Sequence, residues 1–500
     1  MKKKLNYILI LLSIIAVFAT IWVRDAYGKT SLDQILFHLQ VPAEGVSNDI
    51  IVIILYECFV KSLVVFILVL LFNKLLSLFF KNEYIKLVYK NKSFNLVPFD
   101  FKNKFWFFCS LVILLFVFTD TIIYYDVIDF TKNTFNYSTF IEDNYVDPNN
   151  VKLTFKDKKR NLIYIFVESF ETSYASKNLG GSFKYNLIPN MYNLAINNTS
   201  FSSNNYFGGL EQISDTDWTI AGIVSQTSGI PLKVSTDGKL YQKDGKFLNN
   251  AKTLGDILKE NGYNQTFLLG SNALFGGRYA YFKTHGNYNI KDYNYFKENK
   301  IIDDDYYVFW GFPDSKLYDF AKDELKSIQE PFNLTMLTVN NHTPNGYLEC
   351  ASNYEKQIEN VISCTDLQLY EFVNWVMEQP FYENTTIIIV GDHINMDSTF
   401  IEDMDNRKIY NVIINGKTPI YKQNRLASSF DMFPTTLYSL GVEIEGNRLG
   451  LGTNLYSSEE TILEKYGISK VNEEIKKKSK YYDDKFLFNW HKFDIYSIIW

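Results

Sequence analysis

Five hundred residues exceed one ordinary domain, and a hydrophobic share of 47% with 17% aromatic leaves apolar mass for a large core and for membrane spans. A net charge of −6 and a pI of about 5.6 exclude a global basic field, and with it nucleic acid as a partner.

The chain opens on Lys2, Lys3 and Lys4 and an apolar run from about Leu5 to Val23. That run is long for a signal-peptide core and lacks a small-x-small cleavage site, so it predicts a membrane helix. Further apolar runs at about 50–72 and 105–125 are each long enough to cross ~30 Å of hydrocarbon. Residues 1–130 are therefore expected to form a membrane domain with three transmembrane helices. Lysines at the N-terminus and between the second and third runs (Lys81, Lys86, Lys90, Lys92, Lys102, Lys104) put those ends in the cytoplasm and everything after about Tyr125 outside it. Within the second run, Glu57 and Lys61 stand at i,i+4, which predicts a self-neutralising pair, with handling of a lipid head group as the alternative. Between the first two runs, "TSLDQILFHLQVPAEG" has an apolar helical face of Leu32, Ile35, Leu36 and Leu39. It is expected to lie flat on the outer leaflet, with His38 interfacial rather than catalytic. Cys58 and Cys109, inside predicted spans, read as small apolar residues.

After a linker expected over 131–158, strands alternate with helices through 159–465, and a tail follows over 466–500. "NLIYIFVESF" is an apolar strand ending in Glu168. "NGYNQTFLLGSN" follows a helix and ends at Gly270, Ser271 and Asn272, and "FNLTMLTVNNHTPNG" ends at His342. "TTIIIVGDHINMDST" delivers Asp392 and His393 side by side. Such alternation predicts an α/β fold with a largely parallel sheet covered on both faces, and ligands in such sheets bind outside the carboxyl ends of the strands. Two hard carboxylate donors and an imidazole, from Glu168, Asp392 and His393, suit one divalent ion such as Mn²⁺, Zn²⁺ or Mg²⁺ with open positions. A nucleophile is offered by "GGLEQISDTDWTIAGIVSQTSGIPL", where Ser214 or Asp215 can cap a helix starting near Thr216. A hydroxyl there gains from the helix dipole and from free backbone N–H groups that favour a phosphate. Thr216 and Thr219 stand nearly a turn apart, and the residues alone leave both open. Cys350 and Cys364, outside the cytoplasm, are expected to form a disulfide at the rim of the site. His285, in "KTHG", reads as structural, and so does the helix of "SSFDMFPTTLYSLGV" with Asp431 near its start. The tail from Lys476 reads as a solvated surface segment, and His491 within it has no assigned role.

These motifs resemble the alkaline phosphatase and sulfatase superfamily, and within it the membrane-bound phosphoglycerol transferases that decorate periplasmic glucans, relatives of lipoteichoic acid synthase. The resemblance rests on "TDWTIAGIVSQTSGIPL", "GDILKENGYNQTFLLGSNALFGGRYAYFKTHG", "LTVNNHTPNGYLEC" and "IIIVGDHINM", and extends from about Leu5 to about Leu455. It implies an alkaline-phosphatase-like catalytic domain behind the membrane helices. Metal ligation falls to Glu168, Thr216, Asp392 and His393, with Mn²⁺ the foremost ion, and nucleophilic attack to Thr216 by counting back from the "GIPL" turn. His342 matches the histidine at the substrate phosphate or glycerol, with acid–base work, and Arg278 matches a phosphate-contacting base; Ser271 and Asn272 are further substrate-side candidates. Lipoteichoic acid synthases carry an Asp where Ser271 stands, so the likeness is nearer to the glucan-modifying branch.

The implied reaction takes phosphoglycerol from phosphatidylglycerol, through a covalent phospho-threonine, to a glycan hydroxyl. It releases diacylglycerol at the outer face of a bacterial inner membrane. Phosphoethanolamine transfer is the nearest rival, and its motif around the threonine is not found. A two-metal phosphatase needs more His and Asp ligands, and a formylglycine sulfatase needs a Cys or Ser followed by x-Pro-x-Arg, a run the sequence lacks. A non-catalytic receptor on the same fold is argued against by the intact ligand set.

Overall fold

The protein is described from a computed structural model that covers residues 2–28, 30–42, 44–45, 48–79, 85–89, 92–96, 104–204, 207–235, 237–343, 345–397, 399–401, 404, 407–416 and 424–487. Lys81, Lys90 and Lys102, used above for orientation, and His491 lie outside the described residues. The chain divides into two units, one of residues 1–29 and 47–129, the other of residues 30–46 and 130–500.

The first unit contains three helices long and apolar enough to cross a membrane, Lys4–Tyr27, Ile50–Leu75 and Trp106–Tyr124. The first and third are tied by an Arg24–Asp120 ion pair at 2.5 Å, with the Arg24 guanidinium 3.9 Å from the Tyr124 ring centroid. Lys61 donates to Glu57 at 2.5 Å along one face of the second, as the i,i+4 spacing implies.

The second unit is built on a six-stranded sheet. Its strands are β1 (Asn161–Val167), β2 (Asn264–Leu269), β3 (Asn289–Lys291), β4 (Phe332–Leu337), β5 (Thr385–Gly391) and β6 (Asn411–Ile414), in the order β3-β2-β4-β1-β5-β6. All neighbours are parallel except β6, which runs antiparallel to β5. Every residue of β1, β4 and β5 is buried, which is why these strands read as unbroken apolar runs rather than as alternation. Six helices matter below: α1 (Leu32–His38), α2 (Thr219–Ser228), α3 (Leu254–Glu260), α4 (Arg278–Thr284), α5 (Gln357–Met377) and α6 (Met432–Ser439). α2, α3 and α6 contribute to a core on one side of the sheet, α5 to a core on the other.

Three expectations about boundaries are corrected. Segment 30–46 groups with the sheet-bearing unit rather than with the membrane helices, with Phe37 wholly buried there while Leu36 and Leu39 are exposed. The residues expected as a linker add Phe140 and Ile141 to the core and pair Leu153–Thr154 with Glu443–Ile444. The expected solvated tail buries Val471, Ile475, Tyr482 and Phe486, and the Tyr482 hydroxyl donates to the Pro231 carbonyl at 2.7 Å. In the last two cases the apolar side chains stand among charged neighbours that mask them in the sequence.

Candidate active site

β1 and β5 lie side by side in parallel register, with Val167 opposite Gly391, so their carboxyl ends release Glu168 and Asp392 at the same edge. The chain turns sharply after β1. Ser169 takes a left-handed φ of 53°, its N–H donates to Asp392 Oδ1 at 2.8 Å and its hydroxyl to Glu168 Oε1 at 2.8 Å. Asp392 Oδ1 also accepts the His393 N–H at 2.8 Å. These bonds hold one oxygen of each carboxylate and leave Glu168 Oε2 and Asp392 Oδ2 outside them. The His393 ring is oriented in turn by its Nδ1, 2.7 Å from the Ile394 carbonyl; a carbonyl only accepts, so Nδ1 carries the proton and Nε2 the lone pair.

The free atoms converge. Donor atoms of Glu168, Asp392 and His393 all lie within 4.8 Å of one another, and all three side chains are buried. His393 Nε2 stands 3.4 Å from Asp392 Oδ2 and 3.6 Å from Glu168 Oε1, and the Thr219 hydroxyl stands 3.4 Å from Glu168 Oε2. Asp392 Oδ2 and His393 Nε2 are buried without a hydrogen-bond partner. Such spacings are long for hydrogen bonds. They match the edges of a tetrahedron of donors set about 2.0–2.2 Å from one ion, which are roughly 3.3–3.6 Å long. Orphaned buried donors at that spacing fit a divalent cation.

The electrostatics agree. Burial, reinforced by the Glu168 charge, pushes the Asp392 carboxyl up to about 7. Glu168 is also buried, but His342, His393, the Ser169 hydroxyl and Arg278 outweigh that cost and hold it below the ordinary carboxylate range. His393 is raised because the Asp392 and Glu168 charges outweigh its burial. Without a cation, the cluster therefore retains protons that a cation would displace.

The threonine that reaches this cluster is Thr219, not Thr216. The Thr216 hydroxyl is buried and donates to the Ile213 carbonyl at 2.7 Å. The reason is the helix start. Asp215 adopts a left-handed φ of 62° and pairs with Lys233 at 2.6 Å, and Trp218 is extended, so α2 begins three residues later than expected, at Thr219. No side chain caps that end of α2, which leaves backbone N–H groups open toward an anion. The helix is pressed onto β5: the Gln226 amide donates to the Gly391 carbonyl at 2.9 Å, and a Cβ on Gly222 would meet the Asp392 carbonyl oxygen at 2.0 Å.

The other candidates fall into place around this edge. His342 Nδ1 lies 2.7 Å from the Thr343 carbonyl, leaving Nε2 as the lone-pair atom, and its ring packs 4.6 Å from Trp310. Burial lowers the His342 pKa against the raising field of Glu168, which also brings Glu168 and His342 into one electrostatic site. Arg278, at the start of α4, is buried and donates to the Phe275 and Asn272 carbonyls at 2.9 and 3.0 Å. Burial brings it down to about 10, against the fields of Glu168, Asp292 and Asp392, so it remains a cation at neutral pH. Asn272 Oδ1 accepts the Leu274 N–H at 2.9 Å, the Ser271 carbonyl accepts the Tyr293 N–H at 3.3 Å, and both residues are buried. Cys350 and Cys364 are joined, with Cα atoms 5.6 Å apart; next along α5, Thr365 bonds Asn341, whose amide donates to the Glu168 carbonyl. His285 is held by Asp256 and the Phe247 carbonyl, and Asp431 accepts the Ser428 and Thr453 N–H groups, both structural roles. Ser169, Trp310, Asn341 and Gln226 escaped sequence reasoning because each acts through a contact far away in the chain; only the strand-end position of Ser169 carried a signal.

Residues 160–442 match the family described as Sulfatase, a stretch that begins at β1 and ends after α6. Phosphoglycerol transferase I of Salmonella choleraesuis is 30% identical over 323 residues, covering 61% of this chain and 40% of the relative. The chain thus spans about two fifths of the length of the curated relatives it matches. Among solved structures, an alkaline phosphatase superfamily protein of Vibrio parahaemolyticus is 22% identical, with a TM-score of 0.48 over 63% of this chain and 75% of that one. A lipoteichoic acid synthase of Listeria monocytogenes is 17% identical, with a TM-score of 0.47 over 64% and 82%.

Proposed function

The chain belongs to the sulfatase family, and from that premise we propose that it is a membrane-bound phosphotransferase using Thr219 as nucleophile. Its donor is phosphatidylglycerol and its acceptor a glycan hydroxyl, that of a periplasmic glucan by the resemblance drawn from its motifs. The observation that carries this reading is the Thr219 hydroxyl, 3.4 Å from Glu168 at an uncapped helix end. Likeness to a phosphoglycerol transferase supports the choice of donor. The buried Arg278 cation supports it too, since it favours a phosphate carrying a neutral glycerol over one carrying an ammonium.

Glu168, Asp392, His393 and Thr219 would hold one divalent ion, Mn²⁺ foremost with Zn²⁺ or Mg²⁺ as alternatives. Bound there, the ion supplies positive charge against the phosphoryl oxygens and favours ionisation of a neighbouring hydroxyl. Thr219 Oγ1 attacks phosphorus, its new bond forms as the phosphorus–oxygen bond to diacylglycerol breaks, and the proton that Thr219 gives up passes to the departing oxygen. In the second step the acceptor hydroxyl attacks phosphorus as the bond from phosphorus to Thr219 Oγ1 breaks, His342 Nε2 takes the acceptor's proton, and that proton returns to the Thr219 oxygen. Arg278 and the α2 N–H groups stabilise charge on the oxygens that stay with phosphorus. The lysine distribution supports the extracytoplasmic side of a bacterial inner membrane for this chemistry, where diacylglycerol would remain in the bilayer.

The test is incubation of the full chain with labelled phosphatidylglycerol and Mn²⁺. Diacylglycerol release that disappears in Thr219→Val and survives in Thr216→Val supports the reading. Cleavage of phosphatidylethanolamine instead makes it a phosphoethanolamine transferase, and inorganic phosphate from a monoester makes it a phosphatase.

A further inference from the structure

The loop between the first two apolar helices is part of this site's surroundings at several points. Phe37 of α1 packs 4.9 Å from Tyr241, 5.9 Å from Trp218 and 6.3 Å from Phe247, and Trp218 is the residue immediately before Thr219. The Gln34 amide contacts Met396 Sδ at 3.2 Å, three residues beyond His393. Gly45, with φ of +92°, lies so close to the Asn272–Phe275 turn that a Cβ would come 2.8 Å from Asn272 Cβ. The loop therefore grips both the turn that leads into Arg278 and the residue that leads into Thr219.

His38 is among the side chains of this loop that face outward. The His38 ring lies 6.0 Å from Phe275; Phe275 lies 5.2 Å from Trp310, and Trp310 lies 4.6 Å from His342. The Arg278 guanidinium stands 5.5 Å from the same Phe275 ring. His38 and His342 thus occupy the two ends of one aromatic wall, with Arg278 beside it. His38 is exposed to solvent, yet the protein crowded about it lowers its pKa, and the charges of His342 and Arg278 add to that against the bond to Gln34. The His38 Nδ1 is 2.8 Å from the Gln34 carbonyl and so carries the proton, which leaves Nε2 as an acceptor, the arrangement found at His342.

The geometry points to His38 as a further substrate-binding residue, its Nε2 accepting a hydrogen bond from a hydroxyl of the phosphoglycerol head group. This rests on the donor proposed above. A neutral acceptor beside a fixed cation selects a hydroxyl donor: a second anion would meet the lone pair, and an ammonium would meet Arg278.

The test uses the full chain in mixed micelles with Mn²⁺, comparing phosphatidylglycerol with phosphatidylpropanol, which has the same head-group length and no free hydroxyl. For His38→Ala, loss of one hydrogen bond is expected to raise KM for phosphatidylglycerol about tenfold with kcat nearly unchanged. On phosphatidylpropanol, His38→Ala and the wild type should behave alike. His38→Gln, which keeps an acceptor and a folded loop, should recover most of the loss. An unchanged KM in His38→Ala overturns the inference, and so does an equal loss on both donors, which marks a merely structural role. Failure of the wild type to cleave phosphatidylglycerol overturns the proposed donor itself, and the inference with it.

Discussion

Replacing Phe37 by Ala is the sharpest perturbation of the inter-helix loop. The side chain is fully buried among Trp218, Tyr241 and Phe247, and truncating a buried Phe costs roughly 3–5 kcal/mol. α1 is a seven-residue helix, far too short to persist in water without a surface to pack on. Its remaining anchors are modest, chiefly the half-exposed rim and the Gln34–Met396 contact. A loss of that size shifts the docking equilibrium by about two to three and a half powers of ten. Amide hydrogen exchange read by mass spectrometry should then accelerate about a hundredfold or more across residues 32–40, while β1, β4 and β5 keep their protection. Leu36→Ala, on the exposed face, is the control and should change docking by no more than about 0.5 kcal/mol. Unchanged exchange at residues 32–40 in Phe37→Ala would refute the docked arrangement.

Gly222→Ala drives a Cβ against the Asp392 backbone oxygen, which cannot swing aside, so a stability loss of at least about 1–3 kcal/mol is expected together with weakened metal binding, read by thermal melting and calorimetric titration. Apparent metal affinity should climb about tenfold per pH unit for each proton displaced and climb less steeply above about pH 7: Asp392 is raised to about 7 in the metal-free fold, so below that pH the cation competes with its proton, and above it the competition left is that of the raised His393. Affinity independent of pH between about 5.5 and 7 would contradict this. Cys350→Ser and Cys364→Ser should each lower stability by about 3 kcal/mol, since the bridge closes a short loop, and a denaturant midpoint insensitive to both would show that the loop is held by other contacts.

Much of the metal edge was legible because parallel strands buried on both faces leave continuous apolar runs, and the residue where each run stops is the one delivered to the ligand-binding edge. Glu168 and the Asp392–His393 pair were readable for that reason. The choice between Thr216 and Thr219 was not, because it turns on the left-handed conformation of Asp215, and a non-glycine residue gives no warning of that. The role of α1 was hidden differently. Its periodicity defines an apolar face of Leu32, Ile35, Leu36 and Leu39, which suits a bilayer surface, whereas the fold buries Gln34 and Phe37 and exposes Leu36 and Leu39. Periodicity reports that a helix has a face to bury; it does not say on what. The same holds for Val471, Ile475 and Phe486, whose lysine-rich setting concealed side chains that complete the core.

The central claim is that the hydroxyl assembled with Glu168, Asp392 and His393 is the one that receives the transferred group. Rapid acid quench of the Mn²⁺-loaded chain with phosphatidylglycerol and no acceptor, followed by peptide fragmentation in a mass spectrometer, locates that group directly. A glycerophosphoryl adduct on Thr219 is the result expected; an adduct on Thr216, or on no threonine of this stretch while diacylglycerol accumulates, would contradict the account.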